Sequence, residues 1–560
     1  MPHLFFGSNT ILVKLRNLKQ ALGHFVNKNK SAHVQSKRKR VGPSSALPGP
    51  HSSADSTNAS QPNCVPIPSP LPPDERNGEA SPAAMSPPSL CAAPPRAGSP
   101  PPPLLRLRRR AASSVSVAAS RAAAPSVSDD LVLRIAEQLE DSAPASPLLD
   151  PLRSASALSL LTTPWPTRRS NEAFRFTDIS YLRSLPISTP TRTPGLAPPP
   201  PSSDLESHVL FSDGRLVAAS GAHVSALADM PPGHARDRAA AAVAASARFS
   251  HRDIFYDFNA VGASDVAVVY VPEWAKMADD PVHIMFAYSG SDGASLMMSN
   301  PRVLVIAEKG AEVAIVEEHF GVGEEDGGCY WANPVVDIIV EEGARVVHSY
   351  VQRQSPAAAH TKWTTVQQNT SSKYEFVEVS TGARLNRHNL HIQQLGPETE
   401  TELSTFHLTS QNKQIHDLHS RLILDHPRGF SRQLHKLIAC GTGNGIFDGN
   451  IQVNRYAQQT DAGQQTKCLL LSPKAVVNVK PNLQIIADDV KCTHGAAISG
   501  DLDPNELFYF QARGVDAKTA TDALLFSFGA QVINRIPFKA VEKKALAQLK
   551  ELLAVSRQNN

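Results

Sequence analysis

Apolar residues between 260 and 500 come in short runs broken by Gly, Asn and Pro, without helical spacing. The run that begins at Pro301, PRVLVIAEKGAEVAIV, recurs 33 residues later at Pro334 as PVVDIIVEEGARVVHS. Each copy predicts a strand, a tight Gly-Ala turn and a second strand. Repetition at this length is typical of a solenoid, whose stacked coils bury a shared column of Val, Ile and Leu. The pattern alone also allows a two-sheet β-sandwich.

Helical patterns flank these strands on both sides. Residues 131–140 have helical apolar spacing after a Ser-Asp-Asp cap, and the Ala-rich run 239–247 favours a helix by propensity. After the strands, Asp503 and Asp516 are good N-caps for two helices, and a third apolar stripe follows Pro537. We therefore divide the chain into an extension and transit peptide (1–125), a helical and mixed region (126–259), a β core (260–500) and a C-terminal helical region (501–560).

The net charge of +3 hides a strong asymmetry along the chain. Residues 1–125 hold 16 Lys and Arg against 4 Asp and Glu, so the remainder is mildly acidic. An acidic β core argues against a nucleic-acid partner. The same 125 residues carry 20 of the 45 prolines, a composition that we expect to be disordered or removed.

Residues 80–128 contain no Asp or Glu and are rich in Ser, Ala, Pro and Arg. This composition is typical of an organelle transit peptide, with Met85 as a natural start and cleavage expected between Arg110 and Ser128. The basic run 37–40 also fits a nuclear signal, but such runs are more often solvated tails. Because no apolar stretch reaches membrane-spanning length, we expect no membrane insertion.

Cys492 and His494 form the candidate site. They lie two residues apart in a predicted strand, so both side chains point to one face of the sheet, about 7 Å apart. A thiolate and an imidazole are ligands for iron, zinc or copper, or a reactive thiol beside a base. On residue types alone, a buried small residue beside a surface polar residue is the more common explanation of such a pair.

Other candidate chemistry is weaker. Seven histidines crowd residues 388–435, without a His-x-His pair, and we interpret most of them as exposed or hydrogen-bonded histidines on the solenoid surface. Cys440, Cys468 and Cys492 have spacings compatible with successive coils, although buried cysteine is also common filler. The cysteines form no C-x-x-C pair, which fits a reducing compartment. No G-x-x-x-x-G-K-[ST] motif is present, so the chain has no P-loop ATP site of its own.

Segments of the last third closely resemble the SufD branch of the SufB/SufD family, scaffold subunits of the SUF iron–sulfur cluster assembly system. The resemblance rests on NGIFDGNIQV at 444–453, YAQQTDAGQQ at 456–465, PNLQIIADDVKCTHG at 481–495 and LFYFQARG at 507–514. It is dense over about 95 residues and extends more loosely from Trp165 onward. Residues 1–125 lie outside it.

The resemblance implies a mainly β fold, a right-handed parallel β-helix flanked by N-terminal and C-terminal helical regions. It implies a non-catalytic scaffold that pairs with a SufB-like subunit and a SufC-like ABC ATPase docked on residues 501–560, with a cysteine desulfurase acting indirectly. A transient iron–sulfur cluster or iron would be shared with SufB, with His494 as metal ligand and Cys492 beside it. Eukaryotic relatives favour the plastid stroma as the location.

Two other functions compete with this one. A purely structural β-helix adaptor would stabilise SufB without touching iron, and the sequence does not separate it from a cluster scaffold. A β-helix carbohydrate-active enzyme would need carboxylates clustered on one face. Asp488 and Asp489 are adjacent and therefore point to opposite faces of a strand, which argues against that enzyme.

Overall fold

The structure, a computed structural model, describes residues 129–190, 207–291, 293–322, 328–500 and 502–558. The predicted extension and transit peptide therefore lie outside the described residues. Helices stand at both ends of the described chain: α1 (Asp130–Ser142), α2 (Asp150–Leu160), α3 (His234–Ser246), α4 (Ile254–Gly262), α5 (Pro504–Gln511), α6 (Ala517–Ile533) and α7 (Lys539–Gln558). None of these helices combines the length and apolar character needed to cross a bilayer.

Strands fill the sequence between the helices. In chain order they are β1 (Ile187–Ser188), β2 (His208–Ser212), β3 (Arg215–Ser220), β4 (Val224–Ala226), β5 (Val266–Val271), β6 (Lys276–Ser289), β7 (Leu296–Ser299), β8 (Arg302–Ala307), β9 (Glu312–Val322), β10 (Tyr330–Ala332), β11 (Val335–Val340), β12 (Arg345–Arg353), β13 (Ala359–Gln368), β14 (Lys373–Ser380), β15 (Leu385–Gln394), β16 (Glu400–Thr409), β17 (Ile415–Leu424), β18 (Phe430–Ala439), β19 (Asn444–Val453), β20 (Thr460–Leu470), β21 (Val476–Ile485) and β22 (Val490–Ser499).

Successive strands alternate between two parallel sheets. The first sheet orders β5, β8, β11, β13, β15, β17, β19 and β21, and the second orders β6, β9, β12, β14, β16, β18, β20 and β22. Arg302 pairs with Val335 and Glu312 with Arg345, which is the 33-residue repeat seen in the sequence. The chain is thus a parallel β-solenoid, as predicted. In a sandwich of antiparallel sheets, paired residues would not be separated by the same 33 positions in both sheets.

One corner of the solenoid explains the Gly-Ala turn of the repeat. Gly310 and Gly343 have positive φ there, of 65° and 67°. The amide of Gly310 donates to Glu342 O in the next coil, and that of Gly343 donates to Thr370 O. Ser371 continues the ladder in the same conformation, so the corner requires a left-handed residue in each of these coils.

Helices cover the outer faces of both sheets. Helices α3 and α4 pack on outward residues of the first sheet, such as Leu304 and Ile306. Helices α6 and α7 pack on outward residues of the second sheet, such as Val351 and Phe406. The apolar stripe of α6 is therefore used by the chain's own core.

The two ends of the solenoid differ. At the first end, β4 runs antiparallel to β5 and β3 runs antiparallel to β2, so irregular strands close both sheets. At the last end, β21 pairs only with β19 and β22 only with β20 within the described chain. The last coil therefore presents two free strand edges together with exposed apolar side chains, namely Val476, Ile485, Ile486 and Ile498.

Candidate functional site

Strand β22 carries both predicted site residues at the open end of the solenoid. Cys492 pairs in register with Ala462, and His494 pairs with Gln464. Ala462 and Gln464 are buried in the preceding strand, so Cys492 and His494 both lie on the inward face of the last coil. The structure brings the two residues to one face, as the sequence spacing predicted.

Cys492 and His494 differ in their surroundings. Cys492 is half-buried and packs against the interior apolar cluster, whereas His494 is exposed because no further coil covers it. Burial raises the pKa of the Cys492 thiol, the Ala462 backbone hydrogen bond opposes this rise, and the Asp461 carboxylate adds to it. Because the thiol rather than the thiolate is favoured, Cys492 alone is a poor nucleophile.

The outward face of the same strand carries a small ionic cluster. Asp461 accepts ion pairs from Arg432 at 2.9 Å and from Lys491 at 3.3 Å. Lys491 of the Lys-Cys-Thr-His-Gly motif therefore points away from Cys492 and His494 and anchors β22 to the two preceding coils.

The site offers too few donors to hold a cluster alone. Iron–sulfur clusters are held mainly by cysteine thiolates, commonly four of them. Within the described residues, no group of three or more His, Cys, Asp and Glu side chains is arranged to hold a metal ion. One thiol and one imidazole at an open end fit a site completed by a second chain.

The sequence interpretation placed most of the histidines of residues 388–435 on the solenoid surface, and for the majority of them this is wrong. Four of them line the solenoid interior and are almost completely buried: His388, His407, His416 and His435. In β15, His388 shares the inward face with the apolar Leu390 and Ile392, because every second residue of a strand points to the same side. The sequence alone therefore already indicated that His388 points inward. They are core histidines, in which hydrogen bonds offset the cost of burial.

Two carboxylates organise this polar interior. Glu317 accepts from Lys362 Nζ at 2.5 Å, from His319 at 2.6 Å and from His348 at 2.8 Å. Burial alone would raise the pKa of Glu317, but the Lys362 ammonium and the two imidazoles hold it well below its usual range. Glu378, farther along the axis, accepts from two imidazoles, those of His388 and His407, each at 2.8 Å.

Acid is expected to destabilise the protein through its buried histidines. Burial, assisted by His251 and Arg421, lowers the pKa of His391 to about 3. Since this folded-state pKa lies below the unfolded value of about 6.5, the stabilisation is complete above pH 6.5 and is lost as pH falls toward 3, at up to about 1.4 kcal/mol per pH unit. His391→Phe, which keeps an edge-to-face ring contact with Phe249, should flatten the fall of the unfolding midpoint between pH 7 and 5.

The exposed His234 provides the control for this measurement. His234→Phe should leave the slope of unfolding midpoint against pH as in the parent chain. Equal slopes for the parent and His391→Phe would contradict the assignment of acid sensitivity to His391.

The three C-terminal cysteines do not line one sheet face. Cys440 lies on the outer side, in the apolar cluster under α7, and burial raises its pKa to about 11. Cys468 lies in a separate small cluster with Leu437 and Ala475. Only Cys492 stands beside His494.

Sequence reasoning missed two glutamines behind His494. Gln433 of β18 and Gln464 of β20 are buried in the interior, and Gln464 Nε2 donates to Gln433 Oε1 at 3.2 Å. Gln464 is the residue of β20 that pairs with His494 of β22. Only the pairing of coils thirty residues apart reveals this neighbour, so the sequence carried no local signal for it.

Comparison with known proteins shows the family of this chain. The family model described as SUF system FeS cluster assembly, SufBD core domain, matches residues 287–528. The chain is 47% identical to the chloroplastic protein ABCI7 of Arabidopsis thaliana over 457 residues, covering 78% of this chain and 94% of that protein. It is 27% identical to SufD of Escherichia coli over 350 residues, covering 60% of this chain and 79% of SufD.

The family match runs from β6 into α6 and so covers most of the parallel β-solenoid. The chain belongs to the SufB/SufD family of the SUF system. A cyanobacterial member of this family from Synechocystis, 35% identical over 298 residues, covers 52% of this chain, and the match spans 64% of that relative.

Proposed function

We propose that this chain is a non-catalytic scaffold subunit of a SUF assembly complex. It pairs with a SufB-like subunit and a SufC-like ATPase, and together they build and pass on nascent iron–sulfur clusters. The iron or cluster is cargo shared with the SufB-like partner, and ATP is hydrolysed by the SufC-like partner, since this sequence contains no P-loop.

The open last coil carries the proposal. Free strand edges on β21 and β22 are templates for pairing with another chain, and natural proteins normally cover or charge such edges. Here the edges are flanked by exposed Ile485 and Ile498, an arrangement suited to strand addition by a partner solenoid. The partner's last coil would then face Cys492 and His494 and supply the missing thiolates.

The SufC-like partner is proposed to dock on α5. The apolar faces of α6 and α7 are occupied by the second sheet, whereas α5 has no buried residue and exposes Phe508 and Tyr509. Large aromatic side chains are the residues that most often dominate binding energy at protein interfaces.

Replacing both aromatics should therefore weaken SufC binding. Phe508→Ser with Tyr509→Ser is expected to lower the affinity for SufC by about thirtyfold or more, because the loss of a single aromatic hot spot typically costs about 2 kcal/mol or more. Titration calorimetry with purified SufC measures the change. Leu158→Ser on α2, which removes an equally exposed apolar side chain, is the control. Unchanged affinity in the double variant would move the docking surface away from α5.

The plastid stroma is the proposed location. The relative from Arabidopsis is named chloroplastic, and residues 80–128 have the acid-free, Arg- and Ser-rich composition of a transit peptide. Import of the full precursor into isolated plastids, followed by fractionation, tests the location.

Co-expression separates the scaffold from its alternatives. The mature chain, expressed with plastid SufB and SufC, should elute with both in one size-exclusion peak, while the chain alone shows no ATPase activity. Failure to retain SufB would overturn the proposal. A stable complex whose cluster yield does not depend on His494 would leave the structural adaptor.

A further inference from the structure

A short chain of buried amides and a hydroxyl leads through the solenoid interior toward His494. Ser420 Oγ donates to Gln433 Oε1 at 3.3 Å, and Gln464 Nε2 donates to the same oxygen at 3.2 Å. Each of the three residues is at most 6% exposed. These hydrogen bonds lead from β17 of the first sheet to β18 and β20 of the second sheet. The next strand of the second sheet is β22, which carries His494.

This series of hydrogen bonds ends at Gln464, whose side-chain oxygen is an acceptor without a donor. Gln464 Oε1 is buried and has no hydrogen-bond partner among the described residues. Since Gln464 Nε2 is directed at the preceding coil, the oxygen on the same carbon is free for a group on another side. An unsatisfied buried acceptor of this kind costs about 1–3 kcal/mol, so a donor that reaches it is favoured.

His494 is the donor placed to reach it. The two residues are paired in register on neighbouring parallel strands, which lie about 4.8 Å apart, and both are on the inward face. Gly449 of β19 leaves the room that the amide needs, because a Cβ at that position would come within 2.3 Å of Gln464 Nε2. The titratable neighbour of His494 on the same face is Cys492, while Lys491 and Asp461 lie on the opposite face.

We propose that Gln464 is a positioning residue for His494. Gln464 Oε1 accepts one imidazole N–H, which fixes the ring and its tautomer and leaves the other nitrogen directed at the open end. Histidines that bind metal usually have their second nitrogen held in this way. The inference rests on the proposed function for its purpose, but the contact itself is testable without it.

The contact is tested on the full chain by exchange of the imidazole C2 hydrogen. His494 is the single histidine of the tryptic peptide 492–513, so the mass of that peptide reports its exchange rate against pH. Gln464→Glu should raise the pH midpoint of that rate by about one unit, a tenfold change in proton affinity, because a carboxylate then faces the imidazole. Gln465→Glu, on the exposed outward face of β20, is the matched control and should move the midpoint far less.

A second pair of variants tests the purpose of the contact. Gln464→Met keeps the volume but removes the acceptor, and should lower cluster yield in the complex with SufB and SufC to the level of His494→Ala. Gln464→Glu, which retains an acceptor, should keep most of the yield, and Gln465→Met should keep all of it.

Each outcome decides one claim. A midpoint that moves equally in Gln464→Glu and Gln465→Glu, or in neither, overturns the contact. A shifted midpoint with full cluster yield in Gln464→Met overturns the positioning role. Full yield in His494→Ala itself would instead refute the proposed function, and the exchange measurement would still decide whether Gln464 holds the ring.

Discussion

His494→Ala is expected to leave the complex with SufB and SufC assembled while lowering cluster yield by roughly tenfold or more, the loss typical when a group around a metal site is removed. Assembly should survive because strand pairing of the proposed kind rests on backbone hydrogen bonds and on the apolar surface that the exposed Ile485 and Ile498 offer to a partner. His494 is exposed, so its replacement opens no cavity. The measurement is cluster absorbance and iron content after anaerobic reconstitution, with stoichiometry checked by size exclusion.

Two substitutions on the same strand serve as comparisons. Thr493→Ala lies on the opposite face of β22 and should leave the yield unchanged. Cys492→Ala should have a milder effect than His494→Ala, because the thiol packs as a small apolar group and burial raises its pKa. Full cluster yield from His494→Ala, with the complex intact, would exclude a role for this imidazole and favour the structural adaptor.

Local patterns in the sequence predicted those parts of the fold that depend on neighbours along the chain. The repeat from Pro301 to Pro334 contains its own turn, and the left-handed glycines at Gly310 and Gly343 are what the corner requires. Asp503 and Asp516 cap α5 and α6 as expected, since a cap acts within one helical turn.

The interior and the surroundings of the site depend on which coils are adjacent. Strand parity could have placed His388 inside, but its acceptor Glu378 lies across the interior on the other sheet. Gln464 likewise became visible only from the register of β20 and β22. The packing of α6 on the second sheet was not predictable either, because amphipathic spacing does not say what an apolar face covers.

Burying polar and charged side chains inside the solenoid costs folding free energy. Val269 and Val305 show that apolar side chains can fill this solenoid, yet Glu317, Lys362 and several histidines also occupy its interior. Burying two charges stabilises a protein little on balance, because desolvation consumes most of their attraction. The largest change in stability is therefore expected when only one member of the Glu317–Lys362 pair is removed.

Lys362→Met is expected to destabilise the protein by about 3–5 kcal/mol, because it leaves the Glu317 carboxylate buried without its cation. The double variant Lys362→Met with Glu317→Gln should recover much of that loss, since both charges are then gone. Lys373→Met, in a surface network with Glu375 and Glu400, should cost no more than about 1 kcal/mol. Urea midpoints, together with amide hydrogen exchange in β12 and β13, measure the effect and its location. If Lys362→Met matched Lys373→Met in both readouts, the interior pair would not be holding the middle coils together, and solenoid stability would rest on the apolar column alone.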